Sequence, residues 1–172
     1  MHGHDESEPG QEETETATSS EYISTVEEIT LQQAIEMEKC IVFTDALMLL
    51  LKTFHGSACK RQACDRPLQY KKTFLGTCLV VSWMCPSSHV GGRWAALPSY
   101  NKIRAGNLML ASALLLSGNS YTKVGLMFNF CNLHYFSSTL FNQYRQLYII
   151  PAINEFWEQH KQQVWEDKQG KH

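Results

Sequence analysis

The chain has 172 residues, a length that favours one domain or two small ones. Its formal net charge of −2 hides an uneven distribution: residues 1–38 contain eleven acidic residues and no Lys or Arg, whereas residues 39–172 contain all 15 basic residues and six acidic ones. The apolar runs are too short to span a bilayer and no signal peptide is recognisable. We therefore expect a soluble intracellular chain without a membrane partner.

Residues 1–30 are predicted to be a disordered acidic tail. They contain much Glu, Ser and Thr and few large apolar residues, so they cannot bury enough surface to offset the entropy of ordering. An acidic tail beside a basic folded part favours a polyanion as the partner of the folded part. The alternative is that charge simply follows disorder and indicates no partner.

Residues 31–100 are predicted to form a strand and a helix followed by a zinc ribbon. The short apolar run at residues 40–43 predicts a strand. Thr44 is the expected N-cap of a helix over residues 45–54, and Gly56 the residue that ends it. The apolar residues of this helix recur at helical spacing and are expected to face the hairpin of the ribbon; they are Leu47, Leu50, Leu51 and Phe54.

Two close pairs of soft metal ligands flank an insert of twenty residues. The first pair is Cys59 and Cys64, and the second is Cys85 and His89. Each pair can form a knuckle on one turn, and the insert allows the two knuckles to face each other, as a tetrahedral Zn²⁺ site requires. The sequence therefore predicts a Cys3His site with Zn as the cofactor.

The insert between the two pairs carries a hairpin signal of its own. Residues 67–72 and 77–84 flank Leu75 and Gly76, and the second run is rich in β-forming residues. Cys78 and His55 are close enough in sequence to replace a ligand. The alternative to a metal site is a set of unrelated buried thiols, which are common in cores. A disulfide framework is disfavoured because no secretory signal precedes the cysteines.

Residues 101–172 are predicted to form a helical bundle. Residues 104–117 are apolar on nearly every face, so their helix is expected to be central, and Gly118 is expected to end it. A second helix over residues 120–131 is expected to bury four residues at helical spacing, which are Val124, Met127, Phe128 and Cys131.

A third helix follows a loop at residues 132–136. Ser137 or Ser138 is its expected cap, and Pro151 is expected to stop or bend it before an amphipathic segment at residues 152–167. Three consecutive helices with short connections are the layout of a helix-turn-helix module. The predicted fold class is therefore α+β, a small zinc ribbon followed by a helical, helix-turn-helix-like bundle.

The polar face of the third helix contains residue types that read base edges in DNA. Asn and Gln pair with adenine and Arg pairs with guanine, and the candidate DNA-binding residues on this face are Thr139, Asn142, Arg145 and Gln146. Lys102, Arg104 and Lys123 are expected to contact phosphates. The alternative is a plain solvated helix, since any solvated helix presents Asn, Gln and Arg outward.

Several motifs occur in an order that is typical of one family. AGNL at residues 105–108, LLLSGNSYTKV at residues 114–124 and SSTLFNQYRQLYIIP at residues 137–151 follow the cysteine pair and the Cys-x3-His motif. In this order residues 40–157 resemble the N-terminal half of Kolobok-type, zinc-containing DDE transposases and the host proteins derived from them. The resemblance implies that the four predicted ligands bind zinc, that the helices engage transposon-end DNA, and that the protein is nuclear.

No catalytic residue is predicted. Two-metal strand transfer needs several carboxylates that converge on two ions ~4 Å apart. After Trp157 the chain contains only Glu158, Glu166 and Asp167 as acids, and no Gly-rich phosphate loop occurs. We expect a protein that is not an enzyme: a non-catalytic zinc-stabilised module that binds double-stranded DNA, as a remnant or truncated product of a transposase.

The alternative function is a zinc-stabilised protein-interaction domain that does not bind DNA. In this interpretation the aromatic C-terminal segment, with Phe156, Trp157 and Trp165, docks a partner or a second copy of the chain. The salt dependence of binding to duplex DNA separates the two functions, because only phosphate contacts release counterions.

Overall fold

The computed structural model describes residues 21–25 and 27–169, and these residues adopt the expected α+β class. A four-stranded sheet has the strand order β1-β4-β3-β2. Its strands are β1 (Glu21–Thr25), β2 (Gln69–Leu75), β3 (Cys78–Met84) and β4 (Val90–Ala95). The last three are antiparallel, whereas β1 runs parallel to β4 with Glu21 opposite Val90.

Strands β2 and β3 form the hairpin that the sequence predicts. Leu75 pairs with Cys78, and Gly76 adopts a φ of 65°, a left-handed conformation that glycine reaches without a steric penalty. Strand β3 lies between two neighbours and is buried along most of its length, which explains its nearly continuous apolar sequence. A Cys3His cluster lies beyond the far end of this hairpin; a zinc ribbon as a fold type stays a prediction.

Helix α2 (Thr44–His55) covers one face of the sheet. Met48 and Leu51 are buried against alternate residues of β3, namely Leu79, Val81 and Trp83. The Tyr70 hydroxyl on β2 donates to the carbonyl of Gly56 at 2.7 Å, which joins the end of the helix to the sheet. This packing leaves a single stripe of the helix in the core.

The predicted details of α2 were right in part: Leu47 and Leu51 pack on the hairpin as expected. Gly56 ends the helix with a φ of 87°, but the N-cap is Phe43, and Thr44 is the first helical residue. Leu50 and Phe54 are exposed rather than packed on the hairpin. One sheet face covers only one narrow stripe of a helix, and in α2 Met48 occupies that stripe.

The predicted strand at residues 40–43 was wrong. These residues precede α2 without strand pairing, and Ile41 and Phe43 are 83% and 89% exposed. An apolar run becomes a strand only where a neighbouring strand supplies hydrogen bonds. The position beside β4 is occupied instead by β1, which the sequence did not predict.

The predicted disordered tail was wrong at its C-terminal part. Glu21–Thr25 is strand β1, and Thr30 caps helix α1 (Leu31–Glu36) in a capping box with Gln33. Helix α1 buries Ala34 and packs against the helical half of the chain. Residues 1–20, on which the rest of that prediction falls, lie outside the described residues.

Helix α3 (Ala105–Leu116) is central, as its apolar sequence predicts. Two short antiparallel strands, β5 (Ser99–Tyr100) and β6 (Ile103–Arg104), form a hairpin that leads directly into it. Leu108, Ala111 and Leu114 form the middle of the helical core. Gly118 follows the helix with a φ of 68°, and its N–H donates to the carbonyl of Leu115.

Helix α4 (Tyr121–Phe130) and helix α5 (Ser138–Tyr144) are joined by seven residues, 131–137. Ser137 caps α5 as predicted, because its hydroxyl accepts from the Leu140 N–H. Val124 and Phe128 are half-buried, but Met127 and Cys131 are exposed, contrary to prediction. Much of the packing on α4 comes instead from the connection, whose Phe136 is 2% exposed. A helix-turn-helix uses a turn of three or four residues, so that motif stays a prediction.

Pro151 does not stop the last helix. The helix continues from α5 through a π-helical segment, Arg145–Ile149, into α6 (Ile150–Gln169). A proline ring clashes with the carbonyl four residues earlier in a regular α-helix. The wider π turn displaces that carbonyl, so the helix passes Pro151.

Among the described helices none is both long and apolar enough to cross a membrane.

Candidate metal centre

The first knuckle is a turn that brings Cys59 and Cys64 to the same side. The Cys64 N–H donates to the carbonyl of Arg61 at 3.0 Å and closes the turn. Ala63 inside it has a φ of 65°, a left-handed conformation that is uncommon for a residue with a side chain. The Cys59 N–H donates to the carbonyl of Arg66 at 2.9 Å, so the chain that leaves the turn lies beside the chain that enters it.

The second knuckle connects β3 to β4. The Cys85 N–H donates to the Val90 carbonyl and the Ser88 N–H donates to the Cys85 carbonyl, both at 2.8 Å. Ser88 also adopts a left-handed conformation, with a φ of 55°. The turn directs the Cys85 sulfur and the His89 ring to the same side, and the Cys85 sulfur lies 4.0 Å from His89 Nδ1.

The two knuckles meet at the end of the sheet. The three sulfur atoms and a ring nitrogen of His89 all lie within 4.8 Å of one another. Cys59, Cys64 and Cys85 are buried with Leu68 and Val90 around them, while His89 is half-buried. The structure thus brings together all four residues that the sequence singles out, and this arrangement is compatible with a metal site.

The thiols of this cluster are chemically unequal. Burial raises the pKa of Cys85, but the backbone N–H groups of Ser87 and His89, together with the two other thiols, outweigh it and lower that pKa. At Cys59 the Arg61 N–H lowers the pKa, while burial and the Cys85 and Cys64 thiols raise it, and the net direction is upward. Negative charge is therefore more stable on Cys85 than on Cys59, and a thiolate is the form that binds a metal.

The donor atoms limit which ions the site fits. Three thiols and one imidazole suit Zn and other soft or borderline transition metals, whereas Mg²⁺ and Ca²⁺ prefer oxygen ligands. The cysteines are not oxidised: the Cys64 and Cys85 sulfurs are 3.8 Å apart, far beyond the ~2.05 Å of a disulfide bond.

The two substitute ligands that the sequence left open are used elsewhere. Cys78 is fully buried at the start of β3, seven residues before Cys85, so the two lie on the order of 20 Å apart along the extended chain. His55 stacks on Trp83 with ring centroids 4.2 Å apart. The Cys3His set is therefore the group that converges.

The predicted DNA-binding residues do not all face solvent. Lys123 on α4 is exposed, as are Thr139, Asn142 and Gln146 on the helix that starts at Ser138. Arg145 is only half-exposed, and its Nε is buried without a hydrogen-bond partner in the part of the chain that the structure describes. A role of these residues in DNA binding stays a prediction.

Sequence reasoning missed the basic residues of the first knuckle. Lys60 and Arg61 lie between the two cysteine ligands, Arg66 follows them, and all three are exposed. Their signal was available, because they are three cations in seven residues that include a single acid, Asp65.

Comparison with known proteins identified no relative of this chain. No family model, no curated protein and no solved structure matches this chain.

Proposed function

We propose that the protein is a non-catalytic, zinc-stabilised domain that binds double-stranded DNA. The Cys3His cluster carries the proposal. In a tetrahedral site with Zn–S bonds of ~2.3 Å, two sulfur atoms lie about 3.8 Å apart. The sulfurs of Cys64 and Cys85 have this separation, 3.8 Å. Four protein ligands fill a tetrahedral zinc ion completely, which is typical of a structural zinc and leaves no position for a substrate.

The charge of the folded part supports DNA as the partner. Between residues 39 and 150 the chain contains twelve basic residues and only two acids, Asp45 and Asp65. Lys60 and Arg61 lie on the turn that a bound metal would hold rigid, so little backbone entropy would be lost when they contact phosphates. The polar residues on α5 are candidates for base-edge contacts. An origin from a Kolobok-type transposase and a nuclear location belong to the same proposal and rest on the motif resemblance alone.

The salt dependence of DNA binding tests the function. A labelled duplex is titrated with the zinc-loaded chain in a series of salt concentrations, and binding is followed by fluorescence anisotropy. We expect log K to fall linearly with log[salt], with a slope of about −0.9 for each phosphate contact. Lys60→Gln should flatten this slope by about 0.9 and weaken binding to all sequences alike.

Lys161→Gln is the matched control, because Lys161 is exposed on α6 and pairs with Glu158 at 2.7 Å. It should leave both the affinity and the slope unchanged. Absence of binding at low salt, or an affinity that does not change with salt, would refute the DNA-binding function.

A protein-interaction domain is the second candidate, and the surface of α6 favours it. The helix has twenty residues, about 30 Å, and carries Trp157 and Trp165 at 53% and 66% exposure, about 80° apart around its axis. Large exposed aromatic residues on one side of a helix are typical of interaction surfaces. Sedimentation at increasing protein concentration would show self-association, and Trp165→Lys should abolish it if this helix is the contact.

A further inference from the structure

An open cleft of about 560 Å³ lies between the sheet and the helical half of the molecule. The β2–β3 turn forms one side and α5 with the π-helical segment forms the other. The β5–β6 hairpin closes one end. This volume is within the range of about 300–1,000 Å³ that is usual for ligand sites.

The cleft is cationic. Among the side chains that the structure describes, Lys102 and Arg104 are the charged residues of its lining and no acid lines it. Neither of them forms an ion pair with a described carboxylate. The Arg104 guanidinium donates to Ser99 Oγ at 2.7 Å with one of its five N–H donors, and no other hydrogen bond of this group is found among the described residues.

Lys102 is held at this site in an unfavourable backbone conformation. Asn101 and Lys102 are the central residues of the two-residue hairpin, with φ values of 47° and 64°. A turn of this kind favours Asn followed by Gly, because a side chain at positive φ is strained. The chain has Lys where glycine would fit better. Strain that persists at a cleft is commonly linked to ligand binding.

The walls of the cleft are apolar and partly aromatic. Phe74, Leu147 and Tyr148 contribute to them, and Leu147 and Tyr148 remain exposed to solvent. The Gln143 amide supplies a neutral donor and acceptor on the same wall. Two unpaired cations beside an exposed aromatic ring fit a ligand that has an anionic group and a flat apolar part.

We propose that this cleft binds one unpaired nucleotide, with the phosphate on Lys102 and Arg104 and the base against Tyr148. Aromatic stacking next to a positively charged groove is the common means by which proteins hold single-stranded nucleic acid. The inference rests on the proposed nucleic-acid function and assigns a second substrate, an unpaired strand, to a site distinct from the first knuckle. The same chemistry is present in a free nucleoside 5′-monophosphate.

Adjacent substitutions in the hairpin turn separate charge from strain. Lys102→Gly and Asn101→Gly both remove a side chain at positive φ. Lys102→Gly should raise the melting temperature of the zinc-loaded protein, because this turn prefers glycine at its second position, whereas Asn101→Gly should change it little, because asparagine is already favoured at the first. Only Lys102→Gly removes a phosphate contact. Its binding of a labelled oligothymidylate of about ten nucleotides should weaken, and the slope of log K against log[salt] should flatten by about 0.7. Asn101→Gly should bind as the unmodified chain does.

Tyr148→Ala tests the base contact. It should weaken oligothymidylate binding about tenfold without changing the salt slope, because stacking involves no counterion release. An oligonucleotide with abasic residues should bind the unmodified chain and Tyr148→Ala equally. Competition by thymidine 5′-monophosphate at concentrations similar to those of the oligonucleotide would support the site and identify a free nucleotide as its ligand.

Two results would overturn the inference. One is unchanged oligothymidylate binding by both Lys102→Gly and Tyr148→Ala. The other is equal weakening by Lys102→Gly and Asn101→Gly, which would attribute the effect to the turn rather than to the charge. If duplex DNA still binds with a steep salt slope in either case, only the cleft is refuted. The proposed function fails separately, by a loss of salt-dependent duplex binding.

Discussion

Asn107 joins two parts of the chain that are thirty residues apart. Its side-chain oxygen accepts from the Thr77 N–H at 2.9 Å and from the Thr77 hydroxyl at 2.6 Å, and its amide donates to the Leu75 carbonyl at 2.8 Å. Asn107 is 1% exposed. One amide on α3 therefore bonds three polar groups of the β2–β3 turn, and these bonds allow the amide itself to be buried without a large penalty.

Asn107→Ala should destabilise the protein by about 1–3 kcal/mol, because the Thr77 N–H and the Leu75 carbonyl would lose their hydrogen-bond partner. The free energy of unfolding in urea measures the loss. Asn119→Ala is the matched control, since Asn119 is exposed and its side chain donates to the nearby Ser117 hydroxyl, and we expect a change below about 0.5 kcal/mol.

Gly76 provides a further check of this contact. A Cβ atom at Gly76 would lie 2.6 Å from the Asn107 side-chain nitrogen, so Gly76→Ala forces that amide away from the turn. The losses of Gly76→Ala and Asn107→Ala should therefore be less than additive in the double variant. Fully additive losses would show that the two residues do not act through each other.

At the scale of elements, the connection between α4 and α5 is a packed part of the core rather than a solvated turn. Tyr135 and Phe136 stack with ring centroids 4.4 Å apart, and Tyr121 on α4 packs against both. The Tyr121 hydroxyl donates to the Phe136 carbonyl at 2.8 Å. The Tyr135 hydroxyl is buried without a partner among the described residues, and burial, with a smaller effect of Tyr121, raises the pKa of Tyr135 to about 12.

Tyr121 on α4 and Tyr135 in the connection should respond differently to loss of the hydroxyl. Tyr121→Phe should cost about 1 kcal/mol, because it removes a made hydrogen bond, whereas Tyr135→Phe should be neutral or stabilising, because it removes an unpaired buried hydroxyl. Thermal unfolding at neutral pH ranks the variants. A greater loss for Tyr135→Phe than for Tyr121→Phe would mean that the Tyr135 hydroxyl has a partner after all.

At the scale of the whole molecule, strand β3 is secured at its two ends by different means. Its first residue, Cys78, follows the turn that Asn107 binds, and its last residue, Met84, precedes the Cys85 ligand. The sulfur cluster is a small core of its own, beside the larger cores of the sheet and the helices. Loss of a metal from this end should therefore release both knuckles and, with them, the ends of β3 and β4.

The purified chain should contain one Zn²⁺, and Cys85→Ser should abolish it. Structural zinc contributes on the order of 10 kcal/mol in small sites, so this variant and the chelated protein should lose the fold of the sheet. Cys78→Ser is a matched control, since Cys78 and Cys85 are both 0% exposed, and it should keep its zinc at a cost of about 1–3 kcal/mol. Metal content by elemental analysis and the midpoint of thermal unfolding measure both effects. A metal-free chain with unchanged stability would disprove the site.

The sequence by itself determined what depends on neighbours along the chain. Gly56 ends helix α2 because its backbone adopts the conformation that a helix end requires. Ser137 begins helix α5 because its side chain accepts from a free N–H of the first turn. The convergence of Cys59, Cys64, Cys85 and His89 was predictable for a related reason: each pair lies on one tight turn, and the hairpin between the pairs folds them together. The apolar sequence of α3 likewise indicated its central position.

Only the tertiary structure decided which surfaces meet. The pairing of β1 with β4 and the exposure of residues 40–43 each depend on partners that are distant in sequence, and local patterns do not identify such partners. The same holds for the cleft, which Lys102 and Tyr148 line from different elements. Many segments of a chain could fill its few interior positions, and the fold is the arrangement whose contacts are jointly most favourable. A local sequence pattern does not describe the other segments, so it cannot predict which of them will pack together.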